Sequence, residues 1–153
     1  MSELHPVQIR EARWEDLPGI LELYRYLNRM DPVLDAGNPA VAALWSRLME
    51  DRNTHYVVGE QEGRLISTCV LTVILNLTRS TRSYGLIENV VTHPDCRKQG
   101  VGTRVLKYAQ QLAWDANCYK VQLMTSRKEP EVLRFYETAG FTANEKTGFV
   151  VRA

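Results

Sequence analysis

Apolar residues recur along this chain with two different periods, and the switches between them mark out its elements. Val7 to Glu11 alternates as a short strand. Trp14-Glu15-Asp16-Leu17-Pro18 follows, with acidic residues and a proline suited to a first helical turn. Ile20, Leu21, Tyr24 and Leu27 share one stripe, predicting a helix to about Asn28, and Asp31-Pro32 and Gly37-Asn38-Pro39 bracket a loop. Val41, Leu44, Trp45 and Leu48 lie on one face of a second helix that ends near Asp51-Arg52-Asn53. Tyr56-Val57-Val58-Gly59 leads into Glu60-Gln61-Glu62-Gly63, a hairpin turn. Leu65 through Leu77 reads as a long strand, Arg79 to Ser83 as a polar loop, and Tyr84 to Thr92 as a strand closed by Pro94. Gly100 to Ala116 is the clearest helix, with Val101, Val105, Leu106, Ala109, Leu112 and Ala113 at helical intervals. Val121 to Thr125 is a buried strand and Glu131 to Thr138 a short helix stopped by Gly140; Phe141 opens a final strand pair ending at Val150-Val151. This order predicts an α/β fold, a mixed sheet with helices on its faces.

Size and charge narrow what such a fold does. The 153 residues contain no linker long enough to divide them and are read as one domain over 1–153. A chain of this length buries roughly 70% of its extended surface, so it needs no disulfide or metal staple. With 19 basic and 18 acidic side chains the net charge is +1, which argues against a nucleic-acid or membrane-surface role. Cys69, Cys96 and Cys118 are an odd number without zinc spacing, and read as free thiols in a reducing compartment, with no metal site. Glu3, His5 and Gln8 interrupt any apolar leader, and no apolar run approaches a membrane span, so a cytoplasmic location is expected.

The chemistry concentrates in Val90-Val91-Thr92-His93-Pro94-Asp95-Cys96-Arg97-Lys98-Gln99-Gly100-Val101-Gly102, where a strand ends, a basic glycine-rich turn follows and a long helix begins. Exposed N–H groups at a helix start suit a diphosphate, and Gly100 and Gly102 let the backbone come close to phosphate oxygens. Arg97 and Lys98 add charge-assisted contacts. An ordinary strand-to-helix turn reads the same way from the glycines alone. A Walker loop is excluded, since no Gly-Lys-Ser/Thr follows, and the third glycine of a dinucleotide fingerprint is absent.

Arg97-Lys98-Gln99-Gly100-Val101-Gly102 resembles the Arg/Gln-x-x-Gly-x-Gly/Ala pyrophosphate loop of the GNAT acetyltransferases. Leu133-Arg134-Phe135-Tyr136-Glu137-Thr138-Ala139-Gly140-Phe141 is similar to that family's Phe/Leu-Tyr-x-x-x-Gly-Phe segment, in the same order and at the same spacing. The resemblance implies the GNAT fold, a three-layer α/β arrangement whose two central strands splay apart around acetyl-CoA, the co-substrate of an N-acetyltransferase. It also implies that residues 97–103, from Arg97 through Gln99, Gly100, Val101 and Gly102 to Thr103, cradle the diphosphate. Leu86 to Thr92 becomes the splayed strand, with the Val90 N–H as oxyanion donor and Val91 and Thr92 offering backbone contacts.

Acetyl transfer requires a neutral amine, an oxyanion donor and a proton for the leaving thiolate. Tyr136 matches the family's tyrosine near the thioester sulfur, where it is a general acid or, equally, a core aromatic. Glu88 is a base or amine-binding carboxylate, or a sheet-surface charge; simple alternation directs it to the same face as Val90. His93 reads as a loop residue, and His5 and His55 have no evident partner. Where many members of the family carry an asparagine, this chain has Glu129, a contact that Ser126 or Arg127 would have to replace.

Specificity in such enzymes comes from the first helices, here Tyr24 to Asn38 with Tyr26, Asn28, Arg29 and Asp31, and from Arg79 to Tyr84. Ile87-Glu88-Asn89, Asn117-Cys118-Tyr119-Lys120-Val121 and Phe135-Tyr136-Glu137 are similar to glucosamine-6-phosphate N-acetyltransferases. That likeness implies a small anionic amine as substrate, with Arg79, Arg82, Arg127 or Lys128 as phosphate partners. A protein or peptide acetyltransferase and a non-catalytic acyl-CoA-binding module are the alternatives. Members of the family often dimerise through terminal strands or exposed sheet edges, so the resemblance offers Phe149-Val150-Val151 as a homodimer contact; a buried last strand reads the same way.

Overall fold

The computed structural model describes residues 5–153; residues 1–4, where the argument against a leader begins, lie outside it. Five strands form one sheet in the order β1-β2-β3-β4-β5: β1 Gln8–Glu11, β2 Thr54–Gln61, β3 Arg64–Ile74, β4 Tyr84–Thr92 and β5 Val121–Leu123. The first four are antiparallel neighbours. β4 and β5 run parallel and pair only at Gly85–Ile87 with Val121–Leu123. The β2–β3 hairpin closes through Glu62 and Gly63 at φ 52° and 76°, the two left-handed residues that a tight turn matched to sheet twist requires.

Alternation along β3 sorts the core into two layers. Cys69, Leu71 and Val73 join Val57 and Ile87 beneath Val105, Leu106, Ala109 and Ala113 of α4 (Val101–Asp115). On the other face Val58 and Val91 lie beneath Ile20 and Leu23 of α1 (Leu17–Tyr24) and Trp45 of α2 (Pro39–Glu50). The Trp45 indole donates to the Trp14 carbonyl at 3.0 Å, which fixes α2 to the chain entering α1. Arg10 on β1 bridges Asp16 and Glu60, with N···O distances down to 2.6 Å, and ties the same entry to the sheet. α5 (Pro130–Thr138) completes the α4 layer.

Several boundaries depart from the pattern-based reading. α1 ends at Tyr24, and i→i+3 bonds from Tyr26 and Leu27 carry the chain out of it before Asn28. β3 stops at Ile74, leaving Leu75 and Leu77 exposed, and α3 (Thr78–Thr81) is a single turn whose Arg79, Ser80 and Thr81 all have φ of 57–63°. β5 ends at Leu123 rather than Thr125.

The terminal strand pair expected from Phe141 is not formed; residues 139–153 contain no strand, and Phe149 and Val151 are 90% and 96% exposed. A strand needs an edge to bond to, and the outer edge of β5 offers only three residues. Among the described residues no helix is long and apolar enough to cross a membrane.

Gly85 sits where β4 passes under α4. A Cβ there would meet Leu71 Cδ1 at 2.9 Å and Val121 Cγ2 at 3.2 Å, and Leu71 is fully buried. Gly85→Ala is therefore expected to overpack this layer and destabilise the fold by about 1–3 kcal/mol. Urea unfolding read by circular dichroism checks this; an unchanged midpoint would show that the layer relaxes.

Candidate active site

The site begins with one extra residue in β4. Thr68 pairs with Val91 and Val70 with Glu88, so the single residue Cys69 lies opposite two, Asn89 and Val90. That is a β-bulge, and Asn89 supplies its bend at φ 53°, a left-handed conformation that asparagine tolerates better than most residues. The bulge resets the alternation. Glu88 shares a face with Val70 and Val91, on the α1–α2 side, whereas Val90 joins the core beneath α4. The expectation that Glu88 and Val90 share a face is corrected accordingly, because it assumed an unbroken strand.

Beyond Ile87, β4 has lost its neighbour on one side, since β5 pairs no further than Leu123. Which groups face the resulting gap follows from the hydrogen bonds that remain. His93 N–H donates to the Ile66 carbonyl at 2.8 Å, so its backbone edge faces β3. Alternate residues expose their N–H and C=O to opposite edges, so Thr92 and Val90 face the gap. Arg97 Nε donating to the Thr92 carbonyl at 3.0 Å fits that direction. Val91, expected to offer a backbone contact, points its carbonyl to Ser67 Oγ on β3 instead, at 3.1 Å, with its side chain buried under α1. Val91 therefore faces β3 and not the gap.

At the gap's mouth the chain makes a 3-10 turn, Pro94–Cys96, and enters α4 with Lys98 and Gly100 at φ 60° and 78°. No side chain caps α4, and its first intrahelical bond runs from Arg104 N–H to the Gly100 carbonyl at 3.1 Å. The N–H groups of Val101, Gly102 and Thr103 therefore have no partner within the helix. Gly102 packs tightly, for a Cβ would meet Thr92 Oγ1 and Phe135 at 3.0 Å. Arg97 is turned back on Thr92, and Gln99 Nε2 on the Asp95 carbonyl at 3.1 Å; Lys98 is exposed. The loop thus offers backbone donors, a helix dipole and a cation to an anion, with a backbone edge running away from it. That combination fits an elongated ligand with a diphosphate at one end, as acetyl-CoA is.

Tyr136 of α5 packs on the α4 side of the sheet, its ring tilted against Phe135 (4.9 Å between centroids) and edge-on to Phe141 (6.3 Å). Burial pushes its phenol up; the Arg127 cation opposes the rise, and Cys69 and Glu88 add to it. Cys69 is fully enclosed and its thiol is pushed up to about 12 by burial, so it stays neutral. From the α1 side comes Tyr24, whose buried hydroxyl lies beside Tyr56 and Asn89 without making a well-formed hydrogen bond. Neither Asn89's bend nor Tyr24's proximity was read from the sequence; the one available signal was an asparagine inside an apolar strand.

A match to the acetyltransferase (GNAT) family spans residues 8–141. The chain belongs to that family. It is an acetyl-CoA-dependent N-acetyltransferase. A solved structure from Agrobacterium tumefaciens str. C58, provisionally assigned as an acetyltransferase, is 42% identical with a TM-score of 0.89, covering 95% of this chain and 99% of that one. The glucosamine 6-phosphate N-acetyltransferase of Trypanosoma brucei brucei is 29% identical over 146 residues, 95% of this chain and 96% of that enzyme. The aminoalkylphosphonate N-acetyltransferase of Salmonella typhimurium is 26% identical over 141 residues, 92% and 88% of the two chains.

The remaining candidates of this GNAT enzyme fall into local structure. His93 is 6% exposed; Arg64 donates to its Nε2 at 2.8 Å and the Tyr26 ring meets it edge-on at 4.9 Å, so it anchors the turn. His55 and His5 do have partners, Glu11 at 2.8 Å and Glu62 at 3.1 Å. Asn28 donates to Asp31 at 2.8 Å within the α1–α2 loop. Glu129 opens α5 and is bonded by Arg127 at 3.2 Å, which occupies one of the side chains proposed to replace the asparagine contact.

Asn89→Gly keeps the left-handed bend available and is expected to retain the bulge. Asn89→Val forces a β-branched residue to φ 53°, with an expected loss of about 1–2 kcal/mol of stability and a disproportionate loss of acetyl transfer. Paired thermal melts and turnover assays check this, and equal activity in the two variants would mean that the bulge does not shape the site.

Proposed function

We propose that this enzyme transfers the acetyl group of acetyl-CoA to the primary amine of a small molecule, by direct attack in a ternary complex. The observation that supports this reading is the bulge, which sets Glu88 on one face of β4 and Val90 on the other, the side on which Tyr136 packs. The backbone of residues 100–103, with Lys98, would hold the diphosphate, and the gap-facing edge of Val90 and Thr92 the pantetheine arm. Acetyl-CoA supplies the activated carbonyl carbon. Glu88 takes the proton of the incoming amine at its carboxylate, directly or through water. Val90 N–H donates to the oxygen on which negative charge develops. Tyr136 gives its phenolic proton to the departing sulfur, and its raised titration keeps that proton in place at neutral pH.

Two relatives that align over more than nine-tenths of this chain are named for a phosphorylated and a phosphonylated amine. They support a small anionic amine as acceptor, and an amino sugar phosphate is the leading example. The exposed Phe149-Val150-Val151 segment is the part of the chain through which two copies would join.

Glu88→Gln is expected to lower kcat by about 10²- to 10⁴-fold, and Tyr136→Phe by a similar factor. Both should keep the thermal shift given by acetyl-CoA, about 2.7 kcal/mol at a hundred times its Kd. Tyr136 must be protonated to act, and its titration lies above the ordinary 10.0. The alkaline limb of the wild-type kcat profile should therefore fall only as pH rises past that value. A free-thiol assay across pH reads the kcat losses and the limb, and thermal melts read the shift; full activity of Tyr136→Phe would remove the phenol from the acid role.

A further inference from the structure

The register of β4 and β5 puts more than Glu88 on one face. Tyr84, Leu86 and Glu88 lie opposite Ile74, Thr72 and Val70, so all three point the same way. Leu86 is also in register with Gln122, which places Gln122 and Lys120 of the β5 side on that face. It is the α1–α2 side of the sheet, yet Glu88 is exposed there and Tyr84, Lys120 and Gln122 only half-buried. A carboxylate thus stands near the middle of this surface, with a cationic cluster at its end.

That cluster is built, not scattered. Lys120 Nζ lies 5.0 Å from the centroid of the Tyr84 ring and 5.5 Å from that of Tyr119, and donates to Gln122 Oε1 at 2.9 Å. The Arg79 guanidinium is 5.5 Å from the same Tyr119 centroid. Arg79 is presented by the left-handed turn of α3, a conformation that non-glycine residues hold only where their surroundings enforce it. The enforcing bonds come from Asn76, whose amide donates to the Thr78 carbonyl at 3.1 Å and the Arg82 carbonyl at 3.2 Å. Arg82 in turn donates to the Cys118 carbonyl at 3.0 Å, which locks the turn against the start of β5.

Two cations therefore share one aromatic ring, and among the described residues neither has a carboxylate partner. Ring faces offset only part of the repulsion between them. An anion bound between the two would remove it, and a phosphate monoester offers oxygens to both the ammonium and the guanidinium. Arg82 and Arg127, the other arginines considered for that task, are occupied by backbone carbonyls and by Glu129.

We propose that Arg79 and Lys120, set on the Tyr119 and Tyr84 rings, form an anion subsite that takes the phosphate of the acceptor while Glu88 faces its amine. This rests on the acceptor-side reading of Glu88 given above. Lys120 Nζ lies over Tyr84 and is bonded to Gln122 in the Leu86 row, so it is set between two and four residues from Glu88 along the strand, about 7–13 Å between Cα atoms. A hexosamine phosphate spans that interval. An aminomethylphosphonate, with one carbon between nitrogen and phosphorus, does not, so the subsite selects the longer class.

The test compares wild type with Arg79→Gln, Lys120→Gln and the charge-keeping Lys120→Arg, all confirmed folded by thermal melts. Acetyl transfer is measured with glucosamine 6-phosphate, glucosamine and aminomethylphosphonate at saturating acetyl-CoA. The expected result is a wild-type preference for the phosphorylated sugar that falls at least tenfold in each Gln variant, through KM, and is largely kept in Lys120→Arg. Inorganic phosphate titrated into the CoA-bound protein should bind wild type and lose that binding in both Gln variants. An unchanged preference or unchanged phosphate binding overturns the subsite. So does a KM change that appears with acetyl-CoA but not with acetyl-dephospho-CoA, which would assign the cations to the coenzyme's own phosphate. Should wild type acetylate none of these amines, the acceptor reading fails, and the phosphate titration alone still decides whether Arg79 and Lys120 bind an anion.

Discussion

The site depends on a mismatch of one residue: Cys69 faces both Asn89 and Val90. Had β4 kept strict alternation, Glu88 and Val90 would share a face, and Val90 and Val91 would exchange core layers. The extra residue instead puts Val91 in the α1–α2 layer with Glu88 on its face, and Val90 in the α4 layer. The same residue leaves the Val90 backbone groups turned from the β3 ladder at the point where β5 has already ended. The separation of Glu88 from Val90 thus follows from one distortion, a conformation unfavourable to most residues held at the centre of the sheet.

From that distortion follows a division of the site by face. Glu88 is exposed on the α1–α2 side, whereas Tyr136 packs on the α4–α5 side, its phenol raised by burial and by the proximity of Glu88 and Cys69. With the roles proposed above, this separation leaves the phenolic proton free to meet the leaving sulfur rather than held in a hydrogen bond to the carboxylate. Cys69 between them is harmless while its thiol stays neutral, which complete burial ensures. On the reading proposed here, the amine enters from one side of the sheet and the thiol leaves on the other.

Much of this was legible in the residues. Helix periodicity located α4 and α5 within one residue and the end of α2 within three, and the glycine-rich turn before α4 pointed to the uncapped helix start that the structure contains. What the sequence hid depends on pairing rather than on local preference. A bulge changes which face a side chain takes without changing any residue's propensity, so Glu88 and Val90 were placed together and Val91 was counted at the gap. Phe149-Val150-Val151 has the composition of a strand, but composition cannot supply the edge that a strand must bond to. Lys120 looked like one charge among 19 until the register of β5 brought it over Tyr84.

β4 can be read as two strands joined at Asn89. Its first half, Tyr84 to Ile87, bonds to β3 on one side and β5 on the other, so its backbone is satisfied and rigid. Its second half keeps β3 alone, and the N–H groups of Val90 and Thr92 face an opening. Unpaired backbone donors beside a buried core are costly unless something accepts from them, and water can do so only while the opening stays wet. A ligand that lies along this edge replaces that water with fixed acceptors and completes the sheet where β5 stops short. Cofactor binding and fold stability would then share the same hydrogen bonds, and the half of β4 left without a partner is the half in which the sequence has placed its bend, its carboxylate and its turn toward the helix.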